Sequence, residues 1–131
     1  MIFGGHLQHV GGEVGAFRPM LMVLAQSVWN AGLPVLDDLV TSPTKASDYE
    51  GRKRELMELL STMKPGVTQI IVHCTATTEV FQHISGSGPA RQAELNLMLD
   101  PDIRSFIQDQ GIVLTTWREL KQRRAAAGRA S

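Results

Sequence analysis

Little in this sequence is extreme, and its shortages are the first guide. One cysteine, Cys74, stands among 131 residues. That excludes an intramolecular disulfide and fits a reducing compartment. An excess of one charge is also missing. Thirteen Lys and Arg balance thirteen Asp and Glu, so the basic surplus of a general polyanion binder is absent and no nucleic-acid partner is expected. The one basic concentration, "KQRRAAAGR" at 121–129, reads as a solvated helix end, where cations suit the helix dipole. Long hydrophobic runs are lacking too. "MLMVLA" and "IIV" fall far short of the roughly 20 residues that cross a bilayer. The opening "MIFGGHLQHVGGEVG" has neither a basic start nor a long apolar stretch, so it does not read as a signal peptide. A soluble, cytoplasmic protein with no membrane partner is expected.

What is present suits one folded domain. The hydrophobic fraction is 43% and the charged fraction 20%, both ordinary for a globular chain. A single α/β domain over 1–127 is expected, with 128–131 as a frayed tail. In "RPMLMVLAQSVWNAGLPV", Phe17, Met20, Leu21, Leu24 and Val28 recur at helical spacing, and Gly32 fits a left-handed stop. Residues 33–36 then read as a buried strand. Turn formers fill "DDLVTSPTKAS", and Ser47 with Glu50 has capping-box spacing before a helix whose inner face is Leu56, Leu59, Leu60 and Met63. "KPG" stops that helix. Residues 67–72 follow as a strand whose unbroken "IIV" suits a parallel sheet covered on both faces. "GPARQAELNLMLD" is helical, and Asp100-Pro101 looks like an N-cap and first-turn proline. Gly111 ends the next helix, "IVLTTW" reads as a strand, and Thr116 with Glu119 forms a second capping box. The alternation predicts parallel strands joined by helical crossovers.

Few residues could carry chemistry. His73 ends a predicted parallel strand, and ligands gather at the carboxyl ends of such strands. Cys74 follows it, yet neighbours in a strand point to opposite faces, so a Cys–His nucleophilic pair is not expected; Cys74 reads as a small buried residue. In "GGHLQHVGG", His6 and His9 lie three apart, which is compatible with a metal site or with a plain amino-terminal loop. Two histidines do not complete a zinc site; a third ligand would come from His73, Asp37, Asp38 or another chain. Asp37 and Asp38 read more readily as capping or solvated residues, and His83 as a surface or helix-end residue. Arg91 and Glu94, three apart on one helix, are placed to pair.

The order "MKPGVTQIIVHCTATTEV … ARQAELNLMLDPDIRSFIQDQGIVLTTWREL" resembles the carboxyl-terminal part of the YdjC-like carbohydrate deacetylases. That family includes the chitooligosaccharide deacetylases and is related to the polysaccharide deacetylases. Pro65, Gly66, Val67, Thr68, His73, Arg91, Glu94, Leu99, Gly111 and Ile112 fall on its pattern. The earlier "GLPV" agrees as well, and "GGHLQHV" resembles the family's histidine segment with one residue deleted and Gln8 in place of aspartate.

The resemblance implies a partial (β/α) barrel of deacetylase type, with parallel strands, helices between them and the amino-terminal strands missing. It implies a divalent metal, magnesium or zinc, that polarises an N-acetyl carbonyl and activates water. It places His9, or else His6, as a metal ligand, His73 as the acid–base group and Arg91 against a small carbohydrate substrate. The family's early Asp-Asp motif and middle histidine have no counterpart here. Cys74 replaces a proline and Gln69 a glutamate. The expected function is therefore a truncated or divergent metal-dependent carbohydrate N-deacetylase-like domain. Its open sheet edges would be covered by self-association, as a homo-oligomer, or by another chain. Two alternatives stand beside it: a non-catalytic remnant binding a carbohydrate or protein, and an unrelated small α/β binding protein.

Overall fold

Local turn and cap chemistry sets most of the element boundaries. The computed structural model describes residues 8, 9 and 16–127; His6 and the expected tail at 128–131 lie outside the described residues. In chain order the elements are α1 (Arg18–Asn30), β1 (Asp38–Val40), α2 (Tyr49–Thr62), β2 (Thr68–Ile70), α3 (Glu79–Gln82), α4 (Gly88–Leu99), α5 (Pro101–Asp109) and α6 (Trp117–Ala127). The architecture is mixed α/β, mostly helical, with a small parallel sheet of two strands, β1 beside β2. No described helix is long and apolar enough to cross a membrane. The chain forms two compact units: 1–40 with 64–69 and 114–131, and 41–63 with 70–113.

In the first unit, α1 ends where expected. Gly32 has φ 81°, and its N–H donates to the Trp29 carbonyl at 2.9 Å. The inner face of α1 agrees with the reading from helical spacing only at Leu21 and Val28. Phe17, Met20 and Leu24 are exposed, and the half-buried positions are Leu21, Met22, Ala25, Val28 and Trp29. Arg124 of α6 explains part of that rotation. Its guanidinium lies 3.8 Å from the centre of the Trp29 ring, and its Nη2 donates to the Trp29 carbonyl at 3.3 Å. A basic residue thus closes the carboxyl end of α1, so the "KQRR" run is not wholly solvated.

The strands are shorter and later than the apolar runs suggest. Residues 33–36 are irregular, because Pro34 brings no N–H to a ladder; pairing starts at Asp38. The second strand is three residues rather than six. Residues 112–116 form no strand: Val113 and Leu114 are about three-quarters exposed, and an unpaired run has no ladder to satisfy its backbone. Thr116 is drawn into the cap of α6 instead. Its N–H donates to Glu119 Oε2 at 2.8 Å, and its Oγ1 accepts the Glu119 N–H at 3.2 Å, which is the predicted capping box.

The second unit is built on Leu56 and Leu60 of α2, Leu97 of α4 and Ile103 of α5, with Leu59, Met63, Ile70, Phe106 and Ile112 packed against them. Full burial of such side chains is worth roughly 1.5–3 kcal/mol each. Helix α2 starts one residue later than the sequence suggests. Asp48, not Ser47, is the N-cap, and its Oδ1 accepts the Gly51 N–H at 2.8 Å. Glu55 anchors the preceding loop by accepting the N–H groups of Lys45 (2.6 Å) and Ala46 (2.9 Å). Asp100 is both the C-cap of α4 and the N-cap of α5. It accepts the Tyr49 hydroxyl at 2.5 Å and lies 2.9 Å from Lys53 Nζ. Lys53 also reaches Asp102 at 2.6 Å. This clamp fastens the first turns of α2 to the corner between α4 and α5.

Candidate functional site

Among the described residues, each unit has one histidine beside a carboxylate. In the first unit the pair is His9 and Asp38. Asp38, at the head of β1, is buried to 1% exposure. It accepts the His9 backbone N–H at 3.1 Å and the Leu39 N–H at 2.9 Å on Oδ1. The His9 ring nitrogen Nδ1 lies 2.6 Å from Oδ2. Burial pushes the Asp38 carboxyl up, but the His9 amide and ring together with the Leu39 amide outweigh it and hold the group below its ordinary range.

Asp37, its neighbour, is spent differently. Its Oδ2 accepts the Val67 N–H at 2.8 Å, while its own N–H donates to the Val67 carbonyl at the same distance. Gly66 makes this close approach possible. Its φ is 148°, and a Cβ there would sit 2.8 Å from Asp37 Oδ2 and 3.0 Å from Asp37 Cβ. The "KPGVT" segment therefore locks β2 onto the residue beside Asp38. Asp38 is buried and Asp37 half-buried, and both accept protein hydrogen bonds.

In the second unit the pair is His73 and Glu94. The chain leaves β2 at Ile70 and runs as irregular backbone along α4. Glu94 accepts the His73 N–H at 2.5 Å, and the same oxygen lies 3.8 Å from His73 Nδ1. Farther along, Thr75 donates its N–H to the Arg91 carbonyl at 3.3 Å, and Thr77 donates its N–H to Gln92 Oε1 at 2.7 Å. The His73 side chain is half exposed. Cys74 is exposed rather than buried, because the strand has ended four residues earlier and strand alternation no longer governs it. Arg91 does not pair with Glu94: its Nε donates to Ser87 Oγ at 2.8 Å, and its guanidinium stands 5.9 Å from the Phe81 ring. His83 is the exposed C-cap of α3. Among the described residues no group of three His, Cys, Asp or Glu side chains could hold a metal ion.

The comparisons with known proteins bear on this chemistry. Over 96 residues, 73% of its length, the chain is 27% identical to a carbohydrate deacetylase of Thermoanaerobacter pseudethanolicus. It spans little more than a third of that relative, 37%. No family model and no solved structure matches the chain. The likeness supports a distant relationship to carbohydrate deacetylases.

The sequence singles out both histidines but does not pair them with the carboxylates beside them. Asp38 lies 29 residues from His9 and Glu94 lies 21 from His73, beyond the reach of any periodicity. Glu94 was visible only as a member of an Arg-x-x-Glu helix, a pattern that pointed to Arg91 instead.

Proposed function

We propose that the chain is a divergent carbohydrate N-deacetylase-like polypeptide of the YdjC type, acting on acetamido groups of a small carbohydrate. The similarity to a carbohydrate deacetylase over 96 residues carries this reading. The parallel pair β1–β2, with helices on either side in sequence, is the part of a (β/α) barrel that such a protein would retain here. His73 is the acid–base group: its half-exposed imidazole can take a proton from attacking water and return one to the departing amine. His9 is the ligand to a divalent cation, magnesium or zinc. The described residues supply that one ligand and do not complete a set. A bound cation would polarise the acetamido carbonyl and activate water. Arg91, tied to Ser87 and Phe81, is assigned to the substrate side of His73 only through its position in the family pattern. No observation favours the alternative of a non-catalytic binding module.

Acetate release from N-acetylglucosamine oligomers, with magnesium or zinc added, tests the proposal. The wild-type chain should release acetate, and His73→Ala should lower the rate by about 100-fold or more. Absence of release at any metal concentration, or equal rates in the two proteins, refutes it.

A further inference from the structure

Helix α1 has no fully buried residue, although Arg18 is the only charged residue in it. Its half-buried side chains, Leu21, Met22, Ala25, Val28 and Trp29, lie on one face. The other face is apolar too: Phe17, Met20, Val23 and Leu24 are between 55% and 68% exposed. At about 1.45 Å² of accessible surface per dalton of extended chain, each leaves about 100 Å² in water, and the four together about 400 Å². Contiguous apolar patches of several hundred Å² mark interaction sites on soluble proteins. The polar groups beside them already have partners. Ser27 donates its hydroxyl to the Val23 carbonyl at 3.1 Å, and Gln26 Nε2 donates to Asn30 Oδ1 at 2.7 Å. Covering this face would therefore orphan no hydroxyl.

We infer that this face is the contact between two copies of the chain, laid antiparallel along α1. Three observations select a second copy as the occupant. The first is order: Phe17, Met20, Leu24 and Ser27 follow one another at intervals of three, four and three residues, the spacing of a helix–helix seam. Those intervals are the same from either end, so two antiparallel copies meet in register, Met20 against Leu24 and Phe17 against Ser27. The largest side chain then faces the smallest, which fills the seam evenly; a parallel pair would set Phe17 on Phe17 and Ser27 on Ser27. The second is charge. The stripe bears none, so a second copy brings no like-charge penalty to it. The third is area. Two copies of the four apolar side chains cover about 800 Å², and the exposed Pro19, Gln26, Ser27 and Asn30 beside them bring the contact to about 1,000 Å², the size of a weak, reversible interface. No residue assigned to the deacetylase chemistry takes part, so the inference stands apart from that reading.

Sedimentation equilibrium of the full chain from about 1 μM to about 1 mM tests the pairing, a range that brackets a micromolar Kd. The wild-type mass should move from one chain to two across it. Met20→Glu and Leu24→Lys change exposed positions, so each variant should keep its far-ultraviolet circular dichroism while its association weakens at least about tenfold. Their equimolar mixture carries the sharper expectation. In an antiparallel pair the new carboxylate of one copy faces the new ammonium of the other, while the unchanged Leu24 and Met20 still meet. The mixture should therefore associate about tenfold more tightly than either variant alone. Should either variant fail to fold, Ser27→Arg on the same stripe repeats the test for weakened association, and the wild-type mass still decides. A wild type that stays one chain at every concentration overturns the inference, including one that binds phosphatidylcholine vesicles instead. A dimer indifferent to all the single substitutions overturns it as well, because it would use another surface. A mixture no tighter than its components overturns the antiparallel order.

Discussion

Replacing Gly66 by alanine tests the geometry that sets β2 against the Asp37-Asp38 pair. Two costs can be separated. The first is conformational: at φ 148° an L-residue is strained, at about 1–3 kcal/mol. The second is steric. The new methyl would lie 2.8 Å from Asp37 Oδ2 and 3.0 Å from both Cγ and Cβ of Asp37. The carboxylate oxygen can swing away, but only by giving up its bond to the Val67 N–H. Asp37 Cβ cannot move without the backbone that also exchanges bonds with Val67. Overpacking of this kind costs about 1–3 kcal/mol, so the sum centres near 4 kcal/mol, at about the middle of the combined range. With a urea slope of about 2 kcal/mol per molar, the unfolding midpoint should fall by about 2 M. Gly32→Ala is the control within the same unit. Its φ is also positive, 81°, but nothing lies within 4 Å of the added methyl, so only strain of about 1–2 kcal/mol remains. Urea unfolding of the two variants, followed by circular dichroism, measures the difference. If Gly66→Ala costs no more than Gly32→Ala, the steric argument, and with it the locking role of the "KPGVT" turn, is wrong.

Leu97→Ala, at a side chain 1% exposed in the core of the second unit, should cost about 2–5 kcal/mol in urea unfolding; a loss under 1 kcal/mol would mean that α4 is not anchored there. Thr116→Ala removes the hydroxyl that accepts the Glu119 N–H and should cost about 1 kcal/mol, seen as a lower midpoint with the urea slope unchanged. Asp100 is held down to about 2 by the Tyr49 hydroxyl first and Lys53 next. Because its folded value lies below the unfolded one, near 4, its stabilisation is complete above pH 4 and is lost as pH falls toward 2. Acid unfolding of Asp100→Asn should accordingly vary less steeply with pH between 4 and 2 than that of the wild type. The exposed thiol of Cys74 should react stoichiometrically with an aromatic disulfide reagent in the absence of denaturant; protection until unfolding would contradict its placement.

Features that depend on a few adjacent residues were readable in the sequence. Gly32 and Gly111 stop helices with positive φ, Asp100 and Pro101 start one, and Thr116 with Glu119 caps another. Each follows from the chemistry of its own side chain and the next turn. The Ser47–Glu50 box failed because Asp48, one residue on, offers a charged acceptor to the Gly51 N–H and leaves Glu50 with no reciprocal role. Strands were less legible. "IIV" and "IVL" carry the apolar composition of strands, but a strand exists only when a partner supplies its ladder. That partner is present for Thr68–Ile70 and absent for 112–116. The misplaced burial of Cys74 followed from extending β2 too far. At the candidate site, the histidines stood out as unusual residues in telling positions, whereas Asp38 stood in a loop-like "DDLV". Only the folded chain brings it to His9.

The corner at Asp100 has a consequence for how this chain can vary. One residue finishes α4 and begins α5, so the reversal contains no linker at all. The residues around it can be exchanged for others of similar size, and Tyr49 and Lys53 can in principle be matched by other donors. A residue added between Leu99 and Pro101 would instead split the two cap roles that Asp100 now fills at once and shift the start of α5 away from the Tyr49 and Lys53 contacts. The spacing from Leu97 to Ile103, two core residues on either side of this shared cap, is therefore expected to vary less than the side chains around it.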